Sequence, residues 1–358
     1  MEQGTHGDTR VNHRKLTRFV RLAFEKLSVP TNDAEIAADV LVMADLRGVD
    51  THGVIRFSPD TWYVKALRDG VMNARPDIHI VSENASAALI DGDSGMGMVV
   101  GHRAMELAIQ KAKTSGVALV GVRRSRHFGM SAYYAMRALP HDMIGMAMTN
   151  ASIQVVPTFG REAKYGTNPI CLAAPAKEEL PFVLDMATTT AAAGKLEVAA
   201  RRGEAVPFGW ALNEKAEPTK DPRVAQKARR LLPLGGSREG GSHKGYGLAI
   251  LVEILCGVLT GTVAALGLAE PAERGHFFGA IHIESFRSVE DFKRDMDLLI
   301  RHLKSTPPLE GHDRVFVAGE IEFETAKERA ARGIPLHDTI LKGLRELSQQ
   351  LSIPYDLE

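Results

Sequence analysis

Apolar residues recur at spacings of three and four through LTRFVRLAFEKL (16–27), a period that predicts an amphipathic helix with one face in a core. A second helix follows in TNDAEIAADVLVMADLRG (31–48), with Thr31 or Asn32 as its cap and Gly48 at its end. From about residue 76 the pattern shortens to β-rich runs (IHIVS, AALIDG, VALVGV, MIGMAMTN, FVLDMA) that alternate with helical HRAMELAIQKAKTSG and MSAYYAMRAL. Such alternation predicts an α/β middle. The helical period returns after about residue 289 in VEDFKRDMDLLIRHLKS, AKERAARG and HDTILKGLRELSQQLS. The expected organisation is a helical domain over 1–75, completed by C-terminal helices within 289–358, around an α/β domain over 76–288.

Two stretches need a decision. GYGLAILVEILCGVLTGTVAALGLA (245–269) is long and almost wholly apolar, but Glu253 interrupts it and Gly257 and Gly261 punctuate it. It reads as a buried helix from about Tyr246 to Leu259 rather than a membrane span. Gly95, Gly97 and Gly101 spell G-x-G-x-x-x-G between a strand and a helix. That is the setting of a dinucleotide loop, and equally of a tight turn and helix start.

With 358 residues, 44% of them hydrophobic and 25% charged, the chain is long enough for two domains and a large core. Lys plus Arg and Asp plus Glu both number 44, so no global field attracts nucleic acid or an acidic membrane. A small neutral or anionic ligand fits better. Cys171 and Cys256 lie in apolar contexts and read as buried thiols in a reducing compartment, with no disulfide or metal role. MEQGTHGDTRVNHRK at the N-terminus lacks the apolar core of a secretory signal, so a cytoplasmic location is expected.

No H-E-x-x-H, paired C-x-x-C, phosphate loop or G-x-S-x-G is present, which disfavours metal, ATPase and hydrolase chemistry. What stands out is a set of polar clusters in apolar surroundings: THGVIRF, RSRHFGMSAYY, YGTNPI, VLDMATTTAAAGK and SHKGYG. On a helical or turn-like segment, His52 and Arg56 share a side, where one exchanges a proton and the other grips a carboxylate. His127 and Asp185 each end a strand-like run, and Lys244 precedes the apolar helix.

In order, THGVIRF, SRHFG, YGTNPI, DMATTT, PFGWALN, LPLGG, HKGYGLA, GHFFGAI and the final R-x-x-R-G-I-P-L resemble the malate and L-lactate dehydrogenase family of the second type, over residues 12 to 336. That family is unrelated to the Rossmann dehydrogenases. The resemblance implies an α/β (α+β) fold: a helical N-terminal part packed with C-terminal helices, plus a central non-Rossmann α/β domain that binds NAD(P). It implies a homodimer with the site in a cleft between domains. In that family GDSGMGMVVG starts a helix and is not the phosphate loop.

Carried over residue by residue, the resemblance implies His52 and His127 as acid/base candidates, without choosing between them, and Arg56 with Thr51 at the substrate. It implies cofactor contacts from Asn150, Ala151, Thr167, Asn168, Asp185, Met186, Ala187, Lys244, Gly245, Gly319 and Glu320. The family's late P-G-E reads Ala318-Gly319-Glu320 here, which changes the turn's first residue. The implied reaction interconverts a small 2-hydroxy acid, malate favoured, and its 2-oxo acid, with NAD, or alternatively NADP, and no metal. Reduction of a cyclic imino acid or a diketo sugar acid is the alternative within the family. A non-catalytic binding protein is a third, disfavoured by intact His52, Arg56, His127 and Lys244.

Overall fold

A strand at Asp8–Val11 (β1) leads into helices His13–Lys26 (α1), Thr31–Leu46 (α2) and Trp62–Arg68 (α3) of the computed structural model, which describes residues 8–263, 266, 270 and 272–358. The start of the expected leaderless N-terminus and the tail of the apolar run (264–265, 267–269) lie outside the described residues. Asn12 caps α1 by accepting from the backbone N–H groups of Arg14 and Lys15. At α2 the expected side-chain cap is replaced. Thr31 is already helical and Pro30, with φ −57°, begins the helix by its fixed backbone and its carbonyl, which accepts from Ala34. Gly48 ends it with φ +76°.

Next come strands His79–Glu83 (β2), Ala87–Gly95 (β3), Val117–Ser125 (β4), Met143–Thr149 (β5), Ile170–Ala174 (β6) and Phe182–Met186 (β7). They are interleaved with helices Gly97–Ser115 (α4) and Ser131–Ala135 (α5). Helices Ala193–Arg202 (α6), Pro222–Ala228 (α7) and Ser242–Val252 (α8) precede the strand Arg274–His282 (β8). The chain closes with Val289–Lys304 (α9), Glu320–Arg332 (α10), the strand Ile334–His337 (β9) and Asp338–Leu351 (α11).

Strands β2 to β8 form one sheet in the order β2-β3-β4-β8-β5-β6-β7. Only β3 and β4 are parallel; every other neighbouring pair is antiparallel. This is not the sheet of a doubly wound nucleotide-binding fold. GHFFGAI forms the central strand β8, last in the sheet by sequence and buried along most of its length.

Helices α10 and α11 pack on α2 and α1, and β1 pairs with β9, so the two chain ends meet. Helix α9 meets α10 through the Lys304–Glu320 pair and docks mainly elsewhere. Its Asp297 accepts from the backbone N–H groups of Lys177, Glu178 and Glu179 in the loop between β6 and β7. One apolar core, including Phe19, Phe24, Leu41, Phe57, Met98, Met105 and Phe278, runs from the terminal helices through α4 to the sheet.

The apolar run departs from the expectation of a wholly buried helix. It forms α8 and then a π-helical turn, Glu253–Val258. Ala249, Val252 and Cys256 face inward, while Leu248, Leu251, Ile254, Val258 and Leu259 lie exposed on the other side. Among the described residues, no helix is long and apolar enough to cross a membrane.

The glycine-rich stretch is a helix start. Gly97 begins α4, and a Cβ there would lie 2.0 Å from the Arg126 carbonyl oxygen and 2.7 Å from the His127 carbonyl carbon. Glycine is needed for close packing, with no room for a pyrophosphate between. Gly97→Ala is therefore expected to destabilise by roughly 1–3 kcal/mol of overpacking. It should lower kcat as well, because the displaced backbone is that of His127, while NADH affinity of the folded protein stays within about threefold. Thermal melts, initial rates and NADH titration check this. An unchanged Tm with lost NADH binding would return the loop to a phosphate site.

Candidate active site

The turn carrying THGVIRF is built on Asp45, near the end of α2. Asp45 Oδ2 accepts the Val54 N–H at 2.8 Å, and the carboxylate sits so close to Gly53 that a Cβ there would lie 1.8 Å from Oδ1. Burial raises the Asp45 carboxyl well above the usual range, against the Val54 hydrogen bond. Two short 3-10 turns result, Asp50–His52 and Val54–Arg56. Arg329 of α10 holds them from outside by donating to the Asp45 carbonyl and pairing with Asp50. Arg56 Nε then donates to the Thr51 carbonyl at 2.6 Å, and the Thr51 hydroxyl meets His52 Nδ1 at 2.9 Å.

The facing wall comes from the sheet. After Ser125 ends β4, the chain turns through Arg126, His127, Phe128 and Gly129, the last with φ +78°. The rings of His52 and His127 stack with centroids 5.6 Å apart and 17° between planes. His127 Nδ1 meets the Tyr63 hydroxyl at 2.6 Å and accepts the Gly129 N–H at 3.3 Å. A backbone N–H only donates, so Nδ1 is an acceptor and the neutral ring carries its proton on Nε2. Phe128 stacks on His276 at 4.7 Å and 10°. His276 in turn bridges Thr149 Oγ1 at 2.7 Å and Ser125 Oγ at 2.8 Å.

Crowding by protein sets the charges. Burial lowers His52 to about 4, with Arg56 adding to the effect. His127 lies well below its ordinary value, through burial first and then Arg56, His52 and Arg274. Burial, then Arg274, takes His276 to about 3. All three imidazoles are neutral at pH 7.

Between the walls is a cavity of about 320 Å³. Thr51, His52, Arg56, His127, Asn150, Ala151 and Thr167 line it, as do Trp62, Ser152, Gln154 and Arg274, and Ala192 to Gly194 at the start of α6. Asn150 is there, but its amide is committed to Thr262 and Gly275; that of buried Asn168 holds Ala151, Ala249 and Glu253.

Asp185, Met186, Ala187, Lys244, Gly245, Gly319 and Glu320 are not among the cavity's lining residues. Asp185 keeps a solvent-facing edge, yet its Oδ2 accepts the Ala132 N–H at 2.7 Å, and surrounding protein raises its carboxyl to about 6. Lys244 is exposed in the first turn of α8, and Gly245 lets that helix touch Leu234. Glu320 is engaged by Lys304, Arg314 and the Val317 N–H. Gly319, with φ +93°, packs on Val183. Ala318 holds β7 through its carbonyl, an atom the family's proline also has.

Tyr63, Trp62, Gln154, Ser152 and Arg274 are site residues that the sequence reading did not single out. A Trp-Tyr pair six residues beyond Arg56, in a chain with two tryptophans, was the available signal for the first two.

A guanidinium beside two neutral histidines lines a cavity against a mixed, largely antiparallel sheet, an arrangement that suits a dehydrogenase of 2-hydroxy acids built without the Rossmann fold. The chain belongs to the malate/L-lactate dehydrogenase family, whose sequence profile matches residues 11–345. It is 43% identical to a malate dehydrogenase of Pyrococcus abyssi over 349 residues, covering 96% of this chain and 95% of that one. It is 41% identical to an L-sulfolactate dehydrogenase of Methanocaldococcus jannaschii, covering 96% of each. The crystal structure of malate dehydrogenase from Entamoeba histolytica superposes with a TM-score of 0.93 at 34% identity, over 98% of this chain and 100% of that one. Membership implies a nicotinamide cofactor.

Tyr63→Phe removes the hydroxyl that orients His127. It is expected to lower kcat about tenfold, equivalent to about 1.4 kcal/mol, at little cost in Tm. Initial rates and melts check this; an unchanged kcat would show that His127 does not depend on Tyr63.

Proposed function

We propose that the chain interconverts a small 2-hydroxy acid and its 2-oxo acid, with malate as the favoured substrate and NAD as the hydride carrier. The observation that carries this reading is the guanidinium of Arg56, anchored through Nε alone, beside two neutral histidines whose Nδ1 atoms are engaged and whose Nε2 atoms have no partner among the described residues. The terminal nitrogens of Arg56 are left for a carboxylate, a two-pronged grip that lysine cannot copy. Malate and sulfolactate, for which relatives are named, both present such a carboxylate beside a hydroxyl-bearing carbon.

The cavity suits a nicotinamide ring. Ser152, Gln154 and Thr167 offer neutral hydrogen-bonding groups to a carboxamide, and Ala151, Pro169 and Ala192 give small, flat walls. When bound, that ring takes hydride from the hydroxyl-bearing carbon or returns it. The proton belongs to the chain's own residues. His52, with Nδ1–H on the Thr51 hydroxyl, presents a lone pair at Nε2 that takes the hydroxyl proton in oxidation and returns it in reduction. His127, fixed with its proton on Nε2, donates a hydrogen bond to the same oxygen and stabilises charge there. Arg56 orients the carbon between them.

In this reading Asp185, Met186 and Ala187 keep the cofactor role their motif implies. The enzyme is a cytoplasmic homodimer. Two free buried thiols fit a reducing compartment, and the exposed stripe Leu248, Leu251, Ile254 and Val258 offers an apolar surface to a second copy.

Glutamine places an N–H donor near the position of imidazole Nε2 but is no base. His52→Gln is therefore expected to lower kcat by about 10²-fold or more, and His127→Gln by markedly less. The reverse order would exchange their roles. Because a base works only unprotonated, and burial with Arg56 holds His52 near 4, the acid limb of kcat/KM for oxidation should fall well below pH 6.5. Arg56→Gln should move that limb up toward neutrality. A limb at 6.5 that ignores Arg56 would contradict His52 as the base.

A further inference from the structure

His127 stands on a segment that belongs to no strand or helix. From Arg126 to Met130 the chain is irregular, with Gly129 at φ +78°, so its course depends on the groups that hold it from outside. On one side is Ser125, the last residue of β4; on the other is Ser131, the first of α5. Helix α5 has five residues, too few to be stable alone, and Met130 before it supplies no side-chain cap. The missing acceptor comes from the edge strand of the sheet. Asp185 of β7 accepts the Ala132 N–H through Oδ2 at 2.7 Å, and the Ser131 hydroxyl donates to the same carboxylate. A carboxylate makes this cap a charge-assisted one.

The short helix passes that hold to the His127 segment. The fully buried Tyr134 hydroxyl donates to the Phe128 carbonyl, and the two rings stack with centroids 4.9 Å apart and 23° between planes. Tyr133 donates to Asp39 of α2 at 2.9 Å. The far end of α5 presses on β5 at Gly145, where a Cβ would lie 2.0 Å from the Ala135 carbonyl oxygen. Asp185 is thus the pin at the end of α5 nearest His127. We propose that Asp185 is a positioning residue: its inward oxygen seats α5, and α5 through Tyr134 holds the Phe128 carbonyl and with it the ring of His127. This rests on the 2-hydroxy acid reading, in which His127 acts on the substrate oxygen, and it leaves the solvent-facing edge of the carboxylate to the cofactor. Without the cap the segment drifts, and a displacement of about 1 Å near a reacting group costs on the order of 10²-fold in rate.

The test measures kcat for oxaloacetate reduction at saturating NADH, so that weakened cofactor binding does not enter. Asp185→Ala should lower kcat about tenfold or more in the wild-type background and less than about twofold in His127→Ala, where no imidazole is left to place. Equal losses in the two backgrounds, or no loss in the first, would overturn the proposal. Hydrogen exchange of residues 127–135, followed by mass spectrometry, gives a readout free of turnover. It should quicken about tenfold or more in Asp185→Ala and by less in Asp185→Asn, whose amide oxygen still accepts the Ala132 N–H without the charge. Unchanged exchange in Asp185→Ala would also overturn the assignment. If the wild type reduces no oxo acid yet exchange quickens in the variant, the dehydrogenase reading fails and the cap of α5 stands. Should Asp185→Ala not fold, Tyr134→Phe keeps the ring stack and removes the bond to the Phe128 carbonyl. A several-fold loss of kcat confined to chains that carry His127 is then expected, and the same loss in His127→Ala would contradict the proposal.

Discussion

The contact between the Asp45 carboxylate and the backbone of Gly53 and Val54 is the constraint on which the site rests. A buried carboxylate is costly, and this one is tolerated because it accepts a backbone N–H and lies against a glycine with no Cβ to hold it off. The result is a tight turn that aims His52 and Arg56 into one cavity. Arg329 grips the same turn from α10, which ties the C-terminal helices to the N-terminal ones at a functional point as well as through apolar packing. Behind the turn, Phe57 packs on Phe24 with ring centroids 4.5 Å apart, so a shift in the helical layer would shift Arg56 with it.

The opposite wall is held by the sheet. Gly97 presses α4 against the backbone of Arg126 and His127, and the stack of Phe128 on His276 fixes the next residue. Farther back, the π-helical turn places Glu253 where it accepts from Asn168 at 3.0 Å and from Asn150 at 3.5 Å. Such turns insert an extra residue into a helix and commonly mark functional sites. Here it also brings the Cys256 carbonyl against Gly275, next to Arg274. Arg274, the loops that line the cavity and the apolar outer stripe are thus parts of one packed unit.

Much of this was legible because its cause is local. The 3.6-residue period of LTRFVRLAFEKL and the β-rich run VALVGV dictate α1 and β4 with little help from the rest of the chain. The chemistry of His52, Arg56 and His127 announces itself through spacing and glycine neighbours. What was hidden depends on distant pairing. GHFFGAIH reads as another apolar run, and nothing in its own residues says that it lies between β4 and β5. Arg274 enters the site only because of that placement. Asn150 and Asn168 came from the resemblance as cofactor contacts, and their protein partners, which depend on distant segments, are seen only in the fold. The cap of α2 was misread because a proline can begin a helix by conformation alone.

The central claim is that the two walls hold a 2-hydroxy acid so that its hydroxyl proton goes to a histidine and its hydride leaves the same carbon. The most direct measurement uses L-malate deuterated at the hydroxyl-bearing carbon, with NAD, the reduced cofactor being followed by absorbance and then analysed by mass. The account predicts that the cofactor is reduced, more slowly than with unlabelled malate, and that the deuterium is found on the nicotinamide. Absence of cofactor reduction, or release of the label to water, would contradict it.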